Sequence, residues 1–241
     1  MLFDLYQKKP LIPEVHYFLF QNDYEKLWCT PDNSHYDSTF FWWMKAMEQS
    51  NAIDVLDKID EVCASLRNHA YTLWIQPSTL AECKNEHPFY LFIKWMTRIE
   101  NKEPYVAFIE RFLSKLTPKA AWCAFTQQAN TLVYWLQAMR GVDKKTHERM
   151  ICLMTQIMNM TRKDRCDVLG NETADLGNAF FLMMKRLDEC PDSEVLQQFI
   201  LELNQDLPAQ FLKTMWLKKH QQQEQGVTAF HLWARALSKA G

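Results

Sequence analysis

Five polar side chains, Lys45, Lys94, Gln137, Lys185 and Arg235, recur 43 to 50 residues apart, each inside an otherwise apolar stretch. All but Gln137 are cations, and cations repeated at a stacking period would form a positive line that grips acidic side chains of a partner. A second reading is that each long side chain covers its own helix and keeps its head in water. Trp95 follows Lys94 in a column that otherwise holds Ala46, Ala138, Arg186 and Ala236. It is expected to project from the stack as an aromatic anchor, a residue type common at binding hot spots. Lys45, Lys94, Trp95, Gln137, Lys185 and Arg235 are therefore the candidate partner-binding residues.

Other chemistry finds less footing. The histidines at 16, 35, 69, 87, 147, 220 and 231 form no HisGluXXHis pair and no zinc spacing with cysteine, so no metal is expected. The seven cysteines are an odd number with no CysXXCys pair, which reads as reduced core thiols in a reducing compartment. No GlyXGlyXXGly, GlyXSerXGly or phosphate loop is present, and no cofactor is expected. The chain is thus expected not to be an enzyme. The alternative is an enzyme with a cryptic Cys/His site, or the recognition arm of a longer catalytic effector. A thiol nucleophile needs a base brought beside it, and spacing along the chain does not supply one. Asp54, Asp57, Asp60 and Glu61 read as a solvated helix face.

The elements that carry the column are helices. Its members lie in a segment that recurs five times, from Ser38, His87, Asn130, Asn178 and Thr228. The third place holds Phe40, Phe89, Leu132, Phe180 and Phe230, and the fourth holds Phe41, Tyr90, Val133, Phe181 and His231. Places five to seven are apolar in every copy, so this A helix has hardly any polar side and is expected to be buried. Ser38, Asn130, Asn178 and Thr228 suit a helix start because their side chains cap free amides, and Pro88 suits one because its missing donor costs nothing there. An amphipathic B helix follows over 51–66, 103–116, 144–160 and 192–207; in the last, Val195, Leu196, Phe199, Ile200, Leu203 and Leu207 share a face. A shorter C helix then carries Trp28, Trp74, Trp122 or Trp216, with Cys166 near that place in the fourth copy.

The fold class expected is all-α: one continuous right-handed α-solenoid of about five stacked repeats, with three helices per unit. Its partial N-terminal unit is 1–37, its full units are 38–86, 87–129, 130–177 and 178–226, and its partial C-terminal unit is 227–241. At 48% hydrophobic and 13% aromatic, the chain has the material for a large core. A net charge of -2 supplies no field for nucleic acid or an anionic membrane. No apolar run of about 18 residues or more would span a bilayer, so stable membrane insertion is not expected. The start lacks the basic-then-apolar order of a signal peptide. A monomeric scaffold that binds another protein is expected, in the cytoplasm or carried into a host cytoplasm without a cleaved signal.

The last copy is similar to the GlyXThrProLeuHisXAlaAla opening of an ankyrin repeat, matched at Gly226, Thr228, Ala229, Phe230, His231 and Ala234. The preceding stretch, with Leu207 and Pro208, resembles the LeuProXXXLeu element of long ankyrin-like repeats in secreted effectors of intracellular bacteria of the Legionella type. The resemblance implies a protein-binding scaffold, either an effector or a regulator of one. It also implies that His231 ties neighbouring turns together by a hydrogen bond. The chain departs from the pattern where large residues such as Trp43 and Met44, Phe92 and Ile93, or Trp135 and Leu136 replace the small AlaAla pair. Units packed through such residues sit wider apart, as in armadillo, HEAT or TPR stacks. Glycine is absent before Ser38, His87 and Asn130, which removes the turn signal for ankyrin β-hairpin fingers there.

Overall fold

The computed structural model describes residues 37–49, 56–66, 69–124, 126, 129–173, 176–220 and 226–240. Of the expected partial unit 1–37, residues 1–36, with Trp28, lie outside the described residues, as does the glutamine-rich stretch 221–225. Thirteen α-helices run in chain order among those described: α1 (Thr39–Gln49), α2 (Leu56–Leu66), α3 (His69–Trp74), α4 (Pro88–Met96), α5 (Glu103–Leu113), α6 (Pro118–Trp122), α7 (Thr131–Ala138), α8 (Lys144–Met154), α9 (Arg162–Gly170), α10 (Ala179–Glu189), α11 (Glu194–Asp206), α12 (Ala209–Leu217) and α13 (Ala229–Ala240). The fold is all-α; among the described residues the strands are β1 (Lys219–His220) and β2 (Val227–Thr228), paired antiparallel, beside an isolated bridge between Thr173 and Gly177. That small ladder forms where the chain has Gly226, whose φ of 76° is the left-handed conformation such a turn requires.

The A helices α1, α4, α7, α10 and α13 start one residue after Ser38, His87, Asn130, Asn178 and Thr228. In each case the side chain at the first place accepts the amide of the fourth. Phe41 N–H donates to Ser38 Oγ at 3.2 Å and Tyr90 N–H to His87 Nδ1 at 2.9 Å. Val133 N–H donates to Asn130 Oδ1 at 3.0 Å, Phe181 N–H to Asn178 Oδ1 at 2.8 Å, and His231 N–H to Thr228 Oγ1 at 3.3 Å. Buried helix ends need such partners because water cannot reach their free amides. Asn130 does more, since its Nδ2 also donates to the Val168 carbonyl at 2.8 Å. His231 Nδ1 stands 2.8 Å from Thr228 Oγ1 and accepts the Thr228 amide at 3.2 Å, so its bonds stay within its own turn.

The contacts gather in two compact units. The first comprises the described residues through Leu116, with Ala124 and Thr126; the second comprises Thr117–Cys123 and the described residues from Ala129 onward. In the first, α1 packs on α4, α2 on α5, and α3 on α2 and α4. In the second, α7 packs on α10 and α10 on α13, while α8 packs on α11, α9 on α10, and α12 on α10 and α13. Within each unit like helices therefore pack on like. The B helix α11 buries Leu196, Phe199, Ile200 and Leu203 and leaves Glu202 outside, as its 3.6-residue pattern requires.

Tryptophans of the C helices centre both cores. In the first unit Trp74 is fully buried, with Phe40 edge-on at 5.1 Å, Phe92 at 5.6 Å and Phe112 stacked at 5.1 Å. In the second, Trp122 meets Trp135 at 5.5 Å, and Trp216 lies between Phe180 at 5.1 Å and Trp233 at 5.8 Å. Enclosing a ring as fully as those of Trp74 and Trp122 contributes about 2 kcal/mol by transfer from water, and the half-buried Trp216 less.

The histidine cap of α4 gives a direct test. His87→Ala is expected to cost about 1 kcal/mol in urea unfolding, because the Tyr90 amide loses its acceptor inside the core. His87→Asn restores an oxygen where Asn130 and Asn178 already place one, so it should recover most of that loss. Equal losses in both variants would show that packing of the ring, not the cap, carries the effect.

Candidate functional site

Three of the four eighth-place cations, Lys45, Lys94 and Arg235, meet carboxylates of the chain itself. Lys45 pairs with the buried carboxylate of Glu86. Lys94 Nζ lies 3.4 Å from Glu48 Oε1, and Arg98 adds a 2.8 Å bond to the same oxygen and a 2.6 Å bond from Nη1 to the Glu48 carbonyl. Glu48 is only 3% exposed, so its charge depends on these donors. The second unit repeats the arrangement on Asp188. Arg235 donates from Nε to Oδ1 at 2.9 Å and from Nη2 to Oδ2 at 2.7 Å, and Lys239 donates to Oδ1 at 2.7 Å and to the Asp188 carbonyl at 2.9 Å.

Glu48 and Asp188 occupy the same column, the eleventh place of an A helix, and the cations come from places eight and twelve of the A helix packed beside it. Each pair of helices is thus clamped by one carboxylate and two cations. Gln137 and Lys185 are half-buried on α7 and α10, and the eleventh place of α7 holds Arg140 rather than an acid. Both clamps reach water, since the Arg98, Arg235 and Lys239 side chains are 47% to 49% exposed.

Trp95 does not project. It is 2% exposed, with Phe92 at 5.9 Å and Tyr105 edge-on at 5.2 Å. The ninth place of α4 turns toward α5, where the indole exchanges water for aromatic neighbours.

A recess of about 190 Å³ opens in the first unit between α2, α3 and α5. Trp74, Phe108 and Phe112 form its aromatic wall, with Cys63, Ala64 and Ala70 beside them. Its rim carries the Asp60–Arg111 pair at 2.8 Å and the Lys115–Tyr71 bond at 2.7 Å. Trp74 Nε1–H donates to Cys63 Sγ at 3.3 Å. Its counterpart in the second unit, Trp216, donates to Asn204 Oδ1 at 3.0 Å, so the C-helix indole leans on its B helix in both units.

Thiol chemistry is not poised at these sites. Burial pushes the Cys63 and Cys123 thiols up to about 12, in Cys63 against the Trp74 bond that lowers it. Burial likewise raises Cys83, Cys166 and Cys190. A thiol above its ordinary range holds its proton at neutral pH and is a weak nucleophile. Among the described residues, no group of three or more His, Cys, Asp or Glu side chains is placed to hold a metal, and no helix is long and apolar enough to cross a membrane.

The clamp makes acid stability depend on Asp188. Burial by itself raises the Asp188 carboxyl, but the hydrogen bonds from Arg235 and Lys239 outweigh it and hold the group below the usual carboxylate range. A depressed native value means stability present above the unfolded value, about pH 4, and lost as pH falls through the native one. Asp188→Asn should therefore be less stable at pH 7 and show a shallower loss of stability on acidification below about pH 4. Parallel pH–stability curves for variant and parent would rule the clamp out as the source. Compared with protein-family models, curated proteins and solved structures, the chain matches none.

Proposed function

We propose that the chain is a non-enzymatic protein-interaction scaffold, an α-solenoid of about five stacked three-helix units that binds a partner protein along its surface. The observation that carries this reading is the open face of α13. Phe230 is 48% exposed and Leu237 42%, beside Leu217 at 59%. In the same columns Phe40, Phe89, Leu132 and Phe180, and Met47, Met96, Met139 and Leu187, are all 2% exposed or less. Large apolar side chains exposed on one helix, as Phe230 and Leu237 are two turns apart on α13, favour contact with another macromolecule. The half-exposed cations Arg98 and Lys239 favour acidic side chains in that partner. The ankyrin-like opening at Gly226–Ala234 supports reading the scaffold as a bacterial effector, or a regulator of one, that works in the cytoplasm of its own cell or of a host.

Capture from a eukaryotic host-cell lysate and from a lysate of the producing bacterium tests this, with Phe230→Asp/Leu237→Asp beside the parent chain. Both side chains are half-exposed, so the double variant should keep its helicity and melting temperature. A discrete partner retained by the parent and lost by the variant is the expected outcome. Absence of a partner in both lysates would end the scaffold reading, and capture indifferent to the double variant would end the role of the α13 face.

A further inference from the structure

Three buried side chains at one corner of the second unit keep polar atoms with no hydrogen-bond partner among the described residues. They are Nε of Arg186, in the last turn of α10, Oγ of Ser193, just before α11, and Nε2 of His147, in the first turn of α8. All three residues are only 3% to 4% exposed. We propose that this corner binds a chloride ion, held by these three side chains at the N-terminal end of α11. The site is separate from the α13 face and does not depend on it.

The backbone brings the three together. Cys190 N–H donates to the Arg186 carbonyl at 2.9 Å and Ser193 N–H to the Cys190 carbonyl at 3.2 Å, so two tight turns lead from Arg186 to Ser193. Lys144 Nζ stands 3.3 Å from Asp192 Oδ2, which sets the start of α8, one turn before His147, against the start of α11. The two helices then pack on each other.

Charge at the corner favours an anion. Arg186 has a close carboxylate in Glu189, with Oε2 2.5 Å from Nη1, but that side chain is 37% exposed and water weakens its hold. Asp192 is 71% exposed and pairs with Lys144, and Glu194 in the first turn of α11 is exposed. Burial lowers the Arg186 pKa, and the Arg140 charge adds to that against Glu189. Burial, and after it the Arg186 charge, hold the His147 imidazole below its ordinary range, so at pH 7 the ring is neutral and donates from one nitrogen. The N-terminal end of α11 adds its own positive dipole. Asp143 caps α8 by accepting the Thr146 amide at 3.0 Å, whereas the Ser193 side chain makes no such bond to α11.

Three donors from three elements suit a ligand that only accepts hydrogen bonds and accepts them from any direction. Chloride does so with a single charge. Hydrogen phosphate would bring a second charge and a proton of its own into a buried place, at a larger desolvation cost.

The test is a titration at pH 7 in which sodium chloride replaces sodium gluconate at constant ionic strength, with the Arg186 Nε–H followed by NMR beside the melting temperature. A saturable shift in the millimolar range is expected, with melting rising as one bound ion requires. Ser193→Ala should weaken binding about tenfold by removing one hydrogen bond to a charged group. Ser193→Asp places a carboxylate where the ion would sit and should abolish the chloride response, whatever it does to melting in gluconate. No saturable shift in the parent chain, or an undiminished response in Ser193→Asp, overturns the proposal. Phosphate that saturates the same signal at lower concentration than chloride overturns the choice of ion. If Ser193→Asp fails to fold, Ser193→Ala decides: weakened binding supports the site and unchanged affinity overturns it.

Discussion

A helix without a polar side has to be enclosed, and most of the structure follows from that requirement. From Pro88 to Met96 every side chain of α4 is buried except Lys94, which is half-buried. Such a helix cannot rest on a surface with one face in water; it needs neighbours around its whole circumference. In the first unit those neighbours include α1 and α3, and in the second α10 has α7, α9, α12 and α13. The same enclosure removes water from the helix ends. Each A helix therefore begins with a side chain that accepts the fourth amide, whether serine, histidine, asparagine or threonine supplies the atom.

Enclosure also governs the charges. A carboxylate as buried as Glu48 or Asp188 is costly unless several donors meet it, and the adjacent A helix supplies two cations in each case. These donors reach their partners in one helix register, so the clamps select an alignment as well as add attraction. Between α7 and α10, which also pack on each other, the corresponding places hold Arg140 and Lys185, so the acid-over-two-cations pattern is not repeated in sequence there. Because each clamp spends one carboxylate on two cations, positive charge is left over at the water-facing edge. The interior balance thus shapes the surface that a partner meets.

Much of this was legible in the residues themselves. Five helix starts, the apolar columns and the amphipathic face of α11 are local patterns, and a helix repeats them every 3.6 residues whatever lies beyond it. The clamp also left a trace, in the acids at place eleven and the cations at place twelve, two columns beyond the apolar segment that drew attention to the repeat. The recess left almost none, because Cys63, Tyr71, Phe108 and Arg111 come from three helices and no spacing relates them.

The sequence by itself determined which segments are helical, where they begin and which faces are apolar, since propensity, capping and periodicity act within a few residues of chain. Only the tertiary structure decided that Trp95 is enclosed, that Lys45, Lys94 and Arg235 pair inside the chain, and that Asp60 and Arg111 of different helices meet beside a recess. Those outcomes depend on what a second helix brings within a few ångströms. Ion pairing and concavity are properties of two surfaces, and a pattern along one helix reports on only one of them.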